Sequence, residues 1–332
     1  MRVFVFVNDV KEIGPRQTTA LLIAAFYRLG FEVFLSNVDG MSISNSSTLR
    51  IFSNSKQVEL GVTNPSSHQI ADFSAGLESS ELQPVEIQPR DLIFIRTNPG
   101  RDLQRRHLHS TFLDFCQVAK TAGIRVINDP VSLSFFASKA AVATLPVRYR
   151  PEILVTQDLD LAATFIRDSK CDCVVKPLMG SRGNKVIRVN AANKTLELDL
   201  AQNFRDQSFV VQHFIETKEP GDKRVVVLNG EVLKHESHVA GIHRLPAEGD
   251  FRANLHAGGS AHELKLTSSE LAVVEYVAAA LFEEGIQLAG IDIVGSKVIE
   301  FNVFSTGGLY DSNEFSRIDF SDKVAKSLSS CP

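Results

Sequence analysis

No tryptophan occurs among the 332 residues, no two cysteines are spaced as CxxC, and no apolar run approaches the ~20 residues of a membrane span. The first absence excludes nothing, and phenylalanine is plentiful at 22. The second removes a zinc site: Cys116, Cys171, Cys173 and Cys331 offer no second pair to complete a ligand set. They read as free thiols of a reducing compartment, with Cys171 and Cys173 on the two faces of one strand. The N-terminal stretch is not expected to be a secretory leader. MRVFVFVNDV is short, charge soon follows it, and no small-residue cleavage site comes after it. It reads as a buried first strand, and a cytoplasmic location is the expectation. Charge of one sign is not in excess: 35 Lys and Arg stand against 39 Asp and Glu, a formal net charge of −4. Neither nucleic acid nor an anionic membrane is therefore expected as a partner.

The length exceeds one simple core and suits two or three domains. A strand over 3–7, a helix over 18–29 ended by Gly30, and a strand over 31–35 open a parallel α/β unit. Residues 42–80 are rich in Ser and Asn with weak periodicity, and read as loops and short edge strands. A buried strand, DLIFIR (91–96), a helix over 103–122 and a strand over 125–128 close the first domain near residue 130. A new register follows: a helix over 134–143 carrying Lys139, a strand over 152–156, a helix over 159–167, and a strand over 173–176 stopped by Pro177. Strands over 185–189 and 209–215 come next. From Lys223 the pattern is antiparallel, with KRVVVLNG turning at Asn229-Gly230 into EVLKHES. A helix over 268–284, capped by Ser-Ser-Glu, precedes the last strands.

Three stretches carry chemistry. DIVGSKVIEFN (292–302) sets Asp292, Glu300 and Asn302 in otherwise apolar, strand-like surroundings. Acids are rarely buried unless paired or bound to a cation, and hard oxygen donors suit Mg²⁺. Glu300 and Asn302 share one face of a strand. A plain two-residue turn at Gly295-Ser296 would put Asp292 across from Ile299, on the opposite side from Glu300. A metal role therefore predicts an odd loop or a bulge; without one, the three side chains decorate a solvated edge. VVKPLMGSRGNKVIRV (174–189) delivers Lys176 on a strand and follows it with a glycine turn able to aim N–H groups at phosphate. It lacks the spacing of a Walker loop, and alone it is an ordinary hairpin. HRLPAEGDFRANLHAGGSA (243–261) is a long polar loop bearing Arg244, Arg252, Asn254 and His256. Its arginines suit bidentate grips on carboxylate or phosphate, and alone it reads equally as a solvated surface loop. No convincing Ser-His-Asp or Cys-His grouping is present.

Taken in order, NDPVSLSFFASK (128–139), VVKPLMGSRG (174–183), FVVQHFI (209–215), GDKRVVVLNGE (221–231), RLPAEGDFRANLHAGG (244–259) and GIDIVGSKVIEFNV (290–303) resemble the ATP-grasp ligases. The likeness is greatest to prokaryotic glutathione synthetases; it is strong from residue 128 onward and loose between 40 and 85. The resemblance implies an α/β (α+β) architecture: an N-terminal parallel α/β unit (1–130) that binds substrate, then a two-part ATP-grasp unit (131–332) with antiparallel sheets. The lid part would span about 140–210 and the catalytic part about 211–332. By the same resemblance Lys139 and Lys176 hold ATP phosphates, and Gly180, Ser181 and Gly183 belong to the lid. Gln212, His213, Phe214 and Ile215 form the adenine hinge, with the backbone of His213 and Ile215 reading the base. Asp292, Glu300 and Asn302 carry two Mg²⁺ ions, with Mn²⁺ as an alternative. Arg224, Arg244, Arg252 and Asn254 grip the γ-phosphate, the acceptor carboxylate or the oxyanion, in a division the sequence leaves open.

The implied reaction is ADP-forming carboxylate–amine ligation through an acyl phosphate. The partners are small amino-acid or peptide substrates, and a homo-oligomer is within expectation. The sequence departs from the glutathione enzymes in the lid, MGSRGN, where Met179 and Arg182 replace small residues. It departs again in a longer segment before Arg244, and after Asn302, where it reads VFSTGGLYDSNEF. The turn 305–308 there can bind a carboxylate or serve as a structural turn. Three readings follow: a glutathione synthetase, a ligase of the same mechanism for another amino acid or peptide, and a silent nucleotide-binding regulator. The intact set of lysines, arginines and oxygen donors argues against the last.

Overall fold

The computed structural model describes residues 1–180, 183–255 and 258–330. Ser181, predicted in the lid, lies outside them, as do Arg182, His256 and Cys331. The chain begins with β1 (Arg2–Val7), α1 (Thr18–Arg28), β2 (Glu32–Asn45), β3 (Leu49–Gln57), α2 (Ser67–Gly76), β4 (Gln83–Ile87), β5 (Leu92–Ile95), α3 (Arg106–Thr121) and β6 (Arg125–Ile127). These strands form one six-stranded sheet in the order β4-β3-β2-β1-β5-β6. β1 is apolar from Val3 to Val7 because it lies between parallel neighbours and is covered on both faces. Gly30, at φ +81°, ends the turn after α1 in a conformation that a side chain disfavours.

The expectation of loops over 42–80 is corrected here. β2 continues to Asn45 and pairs antiparallel with β3, Ile43 opposite Ile51, and α2 follows. Serines stand at buried strand positions, among them Ser53 and Ser55, which blurs the apolar alternation by which a strand is recognised. The start of α2 is set by a capping box, Ser66 with Gln69.

A short helix, α4 (Pro130–Phe136), then leads into a 3₁₀ turn, Lys139–Thr144. The helix predicted over 134–143 is thus two pieces, each with its own cap: Asp129 with Pro130 in the first turn, and Ser138 before Lys139. The middle of the chain supplies β7 (Ile153–Thr156), α5 (Leu159–Asp168), β8 (Cys173–Pro177), β9 (Ile187–Val189), α6 (Leu196–Phe204) and β10 (Phe209–His213). Its four strands are antiparallel, ordered β7-β10-β8-β9. Cys173, Val175, Phe209 and Val211 pack with α5 and α6. The alternate residues Val174, Lys176 and Gln212 point the other way and line a cavity. Cys171 lies exposed just ahead of β8, so the two cysteines do not share a strand.

The last sheet is built from β11 (Asp222–Leu228), β12 (Glu231–Val232), β15 (Gly241–Leu245), β16 (Ser260–Glu263), β17 (Leu288–Val294) and β18 (Lys297–Asn302). A small hairpin, β13 (Lys234–His235) with β14 (His238–Val239), interrupts it. One face is apolar and packs with α7 (Ser268–Glu283), which is capped by Thr267 and Glu270, not by the predicted serines. α8 (Leu309–Ser316) and α9 (Phe320–Ser330) return to α1. Asn128 ties the first sheet to the last. Its Nδ2 donates to the carbonyls of Leu288 and Val303, both at 2.8 Å. Its Oδ1 accepts from the N–H groups of Gln287 and Leu288 at 2.8 and 2.9 Å, so all four bonding positions of the amide are used.

Candidate active site

The two antiparallel sheets turn polar faces toward a shared cavity of about 1490 Å³. It is lined by every described residue of the predicted set: Lys139, Lys176, Gly180, Gly183, Gln212, His213, Phe214, Ile215, Arg224, Arg244, Arg252, Asn254, Asp292, Glu300 and Asn302.

The hairpin β17–β18 meets the condition the metal reading demanded, in one of its two forms. Val294 pairs with Lys297 across a two-residue turn, which alone would have misdirected Asp292. The register then shifts, Ile299 is left as a bulge, and Asp292 falls directly opposite Glu300. The bulge also frees the Ile299 carbonyl, which accepts a hydrogen bond from Lys176 Nζ at 3.0 Å. Lys139 Nζ lies 3.4 Å from Glu300 Oε1 and donates to the Gly180 carbonyl at 2.9 Å. Lys139 and Lys176 therefore converge on the same edge of the hairpin. Gly290, also on β17, permits the close packing here: a Cβ on it would stand 2.2 Å from Thr306 Oγ1.

Asp292 is buried and saturated by cations. Arg224 grips it with two bonds of 2.7 Å, and Arg244 Nη2 adds a third at 2.7 Å. Arg244 also forms a two-bond pair with Asp222, and Arg224 reaches Asn302 Oδ1 at 2.9 Å. Burial pushes the Asp292 carboxyl up, but the two arginines outweigh it and hold its pKa well below the usual carboxylate range. Burial pulls Lys176 down from 10.5 to about 8, against the attraction of Glu300.

The oxygen set fits a divalent cation. Asp292 and Glu300 face each other, and the Asn302 amide adds an oxygen, which accepts from Arg224 here. Among the described residues no three His, Cys, Asp or Glu side chains group as a metal site, so an ion here relies on that amide and on substrate oxygens.

The four candidate anion grips separate into pairs. Arg224 and Arg244 sit at Asp292, whereas Arg252 pairs with Asp250 and donates to the Gly183 carbonyl at 3.2 Å, joining the loop before β16 to the glycine turn after β8. Asn254 lies beside the same glycine. Hydrogen bonds from Arg252 lower the Asp250 pKa to about 2. At the predicted hinge the His213 N–H is taken by the Glu152 carbonyl at 2.9 Å, and the His213 ring turns away to Ser169. The Ile215 N–H makes no hydrogen bond among the described residues, and Phe214 stacks under Arg188, 3.8 Å from ring centroid to guanidinium. Asp222 and Arg96 are among the cavity residues missed in the sequence. Asp222 stood in GDKR, and Arg96 stood at the end of DLIFIR, a cation closing a buried strand.

Lysines, arginines and an oxygen-bearing bulged hairpin, held between two antiparallel sheets, define an ATP-grasp ligase. The description "Prokaryotic glutathione synthetase, ATP-grasp domain" matches residues 138–317, and "Prokaryotic glutathione synthetase, N-terminal domain" matches residues 1–134. The chain belongs to the prokaryotic glutathione synthetase family and is an ADP-forming carboxylate–amine ligase. It is 27% identical to a glutathione synthetase of Prochlorococcus marinus subsp. pastoris over 89% of this chain and 96% of the relative. It is 31% identical to one from Parasynechococcus marenigrum over 72% and 75%. Its fold is that of a solved D-cycloserine synthetase, with a TM-score of 0.64, 15% identity and coverage of 98% of both chains. Membership implies use of ATP and a divalent metal. Among the described residues no helix is long and apolar enough to cross a membrane.

Proposed function

We propose that the protein joins γ-glutamylcysteine to glycine in the cytoplasm, cleaving ATP to ADP and phosphate. The observation that carries this reading is the bulge at Ile299, which sets Asp292 across from Glu300 beside Lys139 and Lys176. In this reading the substrate carboxylate attacks the γ-phosphorus, the amine of glycine attacks the resulting acyl phosphate, and phosphate leaves. Phosphoryl transfer needs positioning and neutralised charge more than a covalent nucleophile, which agrees with a site made of cations.

Lys139 and Lys176 hold the ATP phosphates, and the backbone of residues 212–215 meets the adenine. Asp292, Glu300 and Asn302 would hold two Mg²⁺ ions, or Mn²⁺, which when bound would neutralise the phosphate charge. Arg224 and Arg244, which converge on Asp292, would grip the carboxylate and its developing oxyanion. Gly180, Ser181 and Gly183 would close over the phosphates and keep water from the acyl phosphate, with Arg252 bonded to the Gly183 carbonyl. Residues 1–130 supply the remaining wall around the acceptor, and a homo-oligomer is the expected assembly.

A second reading keeps this chemistry and changes the acceptor to another amino acid or peptide. It is favoured by the altered stretch after Asn302, whose turn 305–308 lines the cavity. ADP release, measured with γ-glutamylcysteine and glycine together, each alone, and other amino acids and dipeptides, separates the two. ADP only with the first pair upholds the glutathione reading; ADP only with another pair replaces it.

A further inference from the structure

We propose that Arg96 is a specificity-determining residue that binds a second carboxylate of the acyl-donor substrate, distinct from the carboxylate that is phosphorylated. This rests on the ligase reading above and narrows its substrate to a small acid with two carboxylates. The placement follows from topology. β1 has β2 on one side and β5 on the other, both parallel to it, so the strand order reverses between β1 and β5. The crevice beyond the carboxyl ends of strands at such a reversal is where open α/β sheets bind ligands. Arg96 is the first residue past β5 and lines the cavity at that crevice.

Its surroundings are built for an anion. Arg96 is only 5% exposed, yet no acid of the described residues pairs with it. Nε donates to Thr19 Oγ1 at 3.2 Å and Nη2 to the Thr306 carbonyl at 3.0 Å, both neutral oxygens. Nη1 makes no hydrogen bond among the described residues. Thr19 belongs to the first turn of α1, an eleven-residue helix whose N-cap residue, Gln17, provides no side-chain cap, so the positive end of that helix adjoins the guanidinium. Of the acids that line the cavity beside α1, Asp9 accepts from the Lys11 N–H, Asp311 pairs with Arg16, and Glu12 is exposed. A buried cation without a counter-charge is costly, and burial pulls the Arg96 pKa from 12.5 to about 9. A bidentate carboxylate supplies the missing partner.

Carboxylate is favoured over phosphate because the two lysines proposed to hold phosphate, Lys176 on β8 and Lys139 on the 3₁₀ turn, converge at the bulged hairpin and not here. The turn at Thr306 links the two places. Arg96 bonds the Thr306 carbonyl, and Arg224, from the hairpin side, comes within 3.9 Å of where a Cβ on Gly307 would stand. A substrate whose reacting carboxylate meets Arg224 can therefore set a second one at Arg96.

The test is binding to the full-length protein, read by thermal shift and calorimetry, with three probes. These are γ-glutamylcysteine, 4-aminobutyrylcysteine, which lacks the α-carboxylate and keeps the amine, and glutarate as a plain dicarboxylate. Wild-type protein is expected to bind γ-glutamylcysteine about tenfold to a hundredfold tighter than 4-aminobutyrylcysteine. Arg96→Gln should erase that ratio while leaving the weaker ligand unchanged, and Arg96→Lys should restore part of it. Equal binding of the two peptides by wild-type protein overturns the proposal without needing a variant that folds. If neither peptide binds, the glutathione reading fails and glutarate decides: binding lost in Arg96→Gln upholds the carboxylate site, and no binding to wild-type protein overturns it.

Discussion

Replacing Lys176 by methionine should make the free protein more stable at pH 7 and its ATP binding much weaker. The ammonium is buried, and burial draws its pKa from 10.5 to about 8. That displacement corresponds to about 3 kcal/mol of folding free energy spent on keeping the charged form. Methionine removes the charge, keeps a similar volume, and loses the bond to the Ile299 carbonyl, worth about 1 kcal/mol. A net gain of about 2 kcal/mol is expected at pH 7 in urea denaturation without nucleotide. The pH dependence has a definite sign. Between about pH 8 and 10.5 the unfolded wild-type chain holds this proton and the folded chain does not, so wild-type stability rises with pH across that window. The advantage of Lys176→Met should therefore shrink there and reverse near its upper end, leaving only the lost hydrogen bond. Calorimetry at pH 7 should show ATP affinity reduced by at least about tenfold in the variant, and wild-type affinity falling as pH rises through about 8. A variant less stable than wild type at pH 7, with unchanged ATP affinity, would refute the reasoning on both counts.

Other substitutions test other parts of the structure. Glu300→Ala should leave the melting curve nearly unchanged, because that side chain is one-third exposed, while Mg²⁺-dependent ADP formation drops by about a hundredfold or more; normal turnover would remove it from the metal site. Asn128→Ala strands four main-chain groups between the first and last sheets, and should cost about 3–5 kcal/mol in urea denaturation. A loss below about 1 kcal/mol would mean that water replaces the amide without penalty.

The antiparallel half of the fold was legible because its strands carry their signal locally. LNGE puts Asn-Gly at a two-residue turn, and Leu228 does pair with Glu231 there. The bulge at Ile299 was legible as a requirement of chemistry: neighbouring apolar residues fixed which faces were inward, and Asp292 and Glu300 could share one only through an irregularity. β3 was hidden because serine and asparagine fill strand positions that tertiary packing, not local preference, makes extended. Asp129-Pro130 is a cap followed by a favoured first helical residue, and it marked the start of α4 earlier than the apolar periodicity suggested. Arg96 and Asp222 drew no attention because each becomes significant only beside residues distant in the chain, Thr306 for the first and Arg244 for the second.

Carboxylate activation is tested most directly by oxygen tracing. γ-Glutamylcysteine labelled with ¹⁸O in its cysteinyl carboxylate would be turned over with ATP, Mg²⁺ and glycine, and the released phosphate examined by mass spectrometry. One ¹⁸O in each phosphate is the expected result, since the acyl phosphate leaves its bridging oxygen with phosphorus. ADP and peptide product accompanied by unlabelled phosphate would contradict an acyl-phosphate ligation at this site.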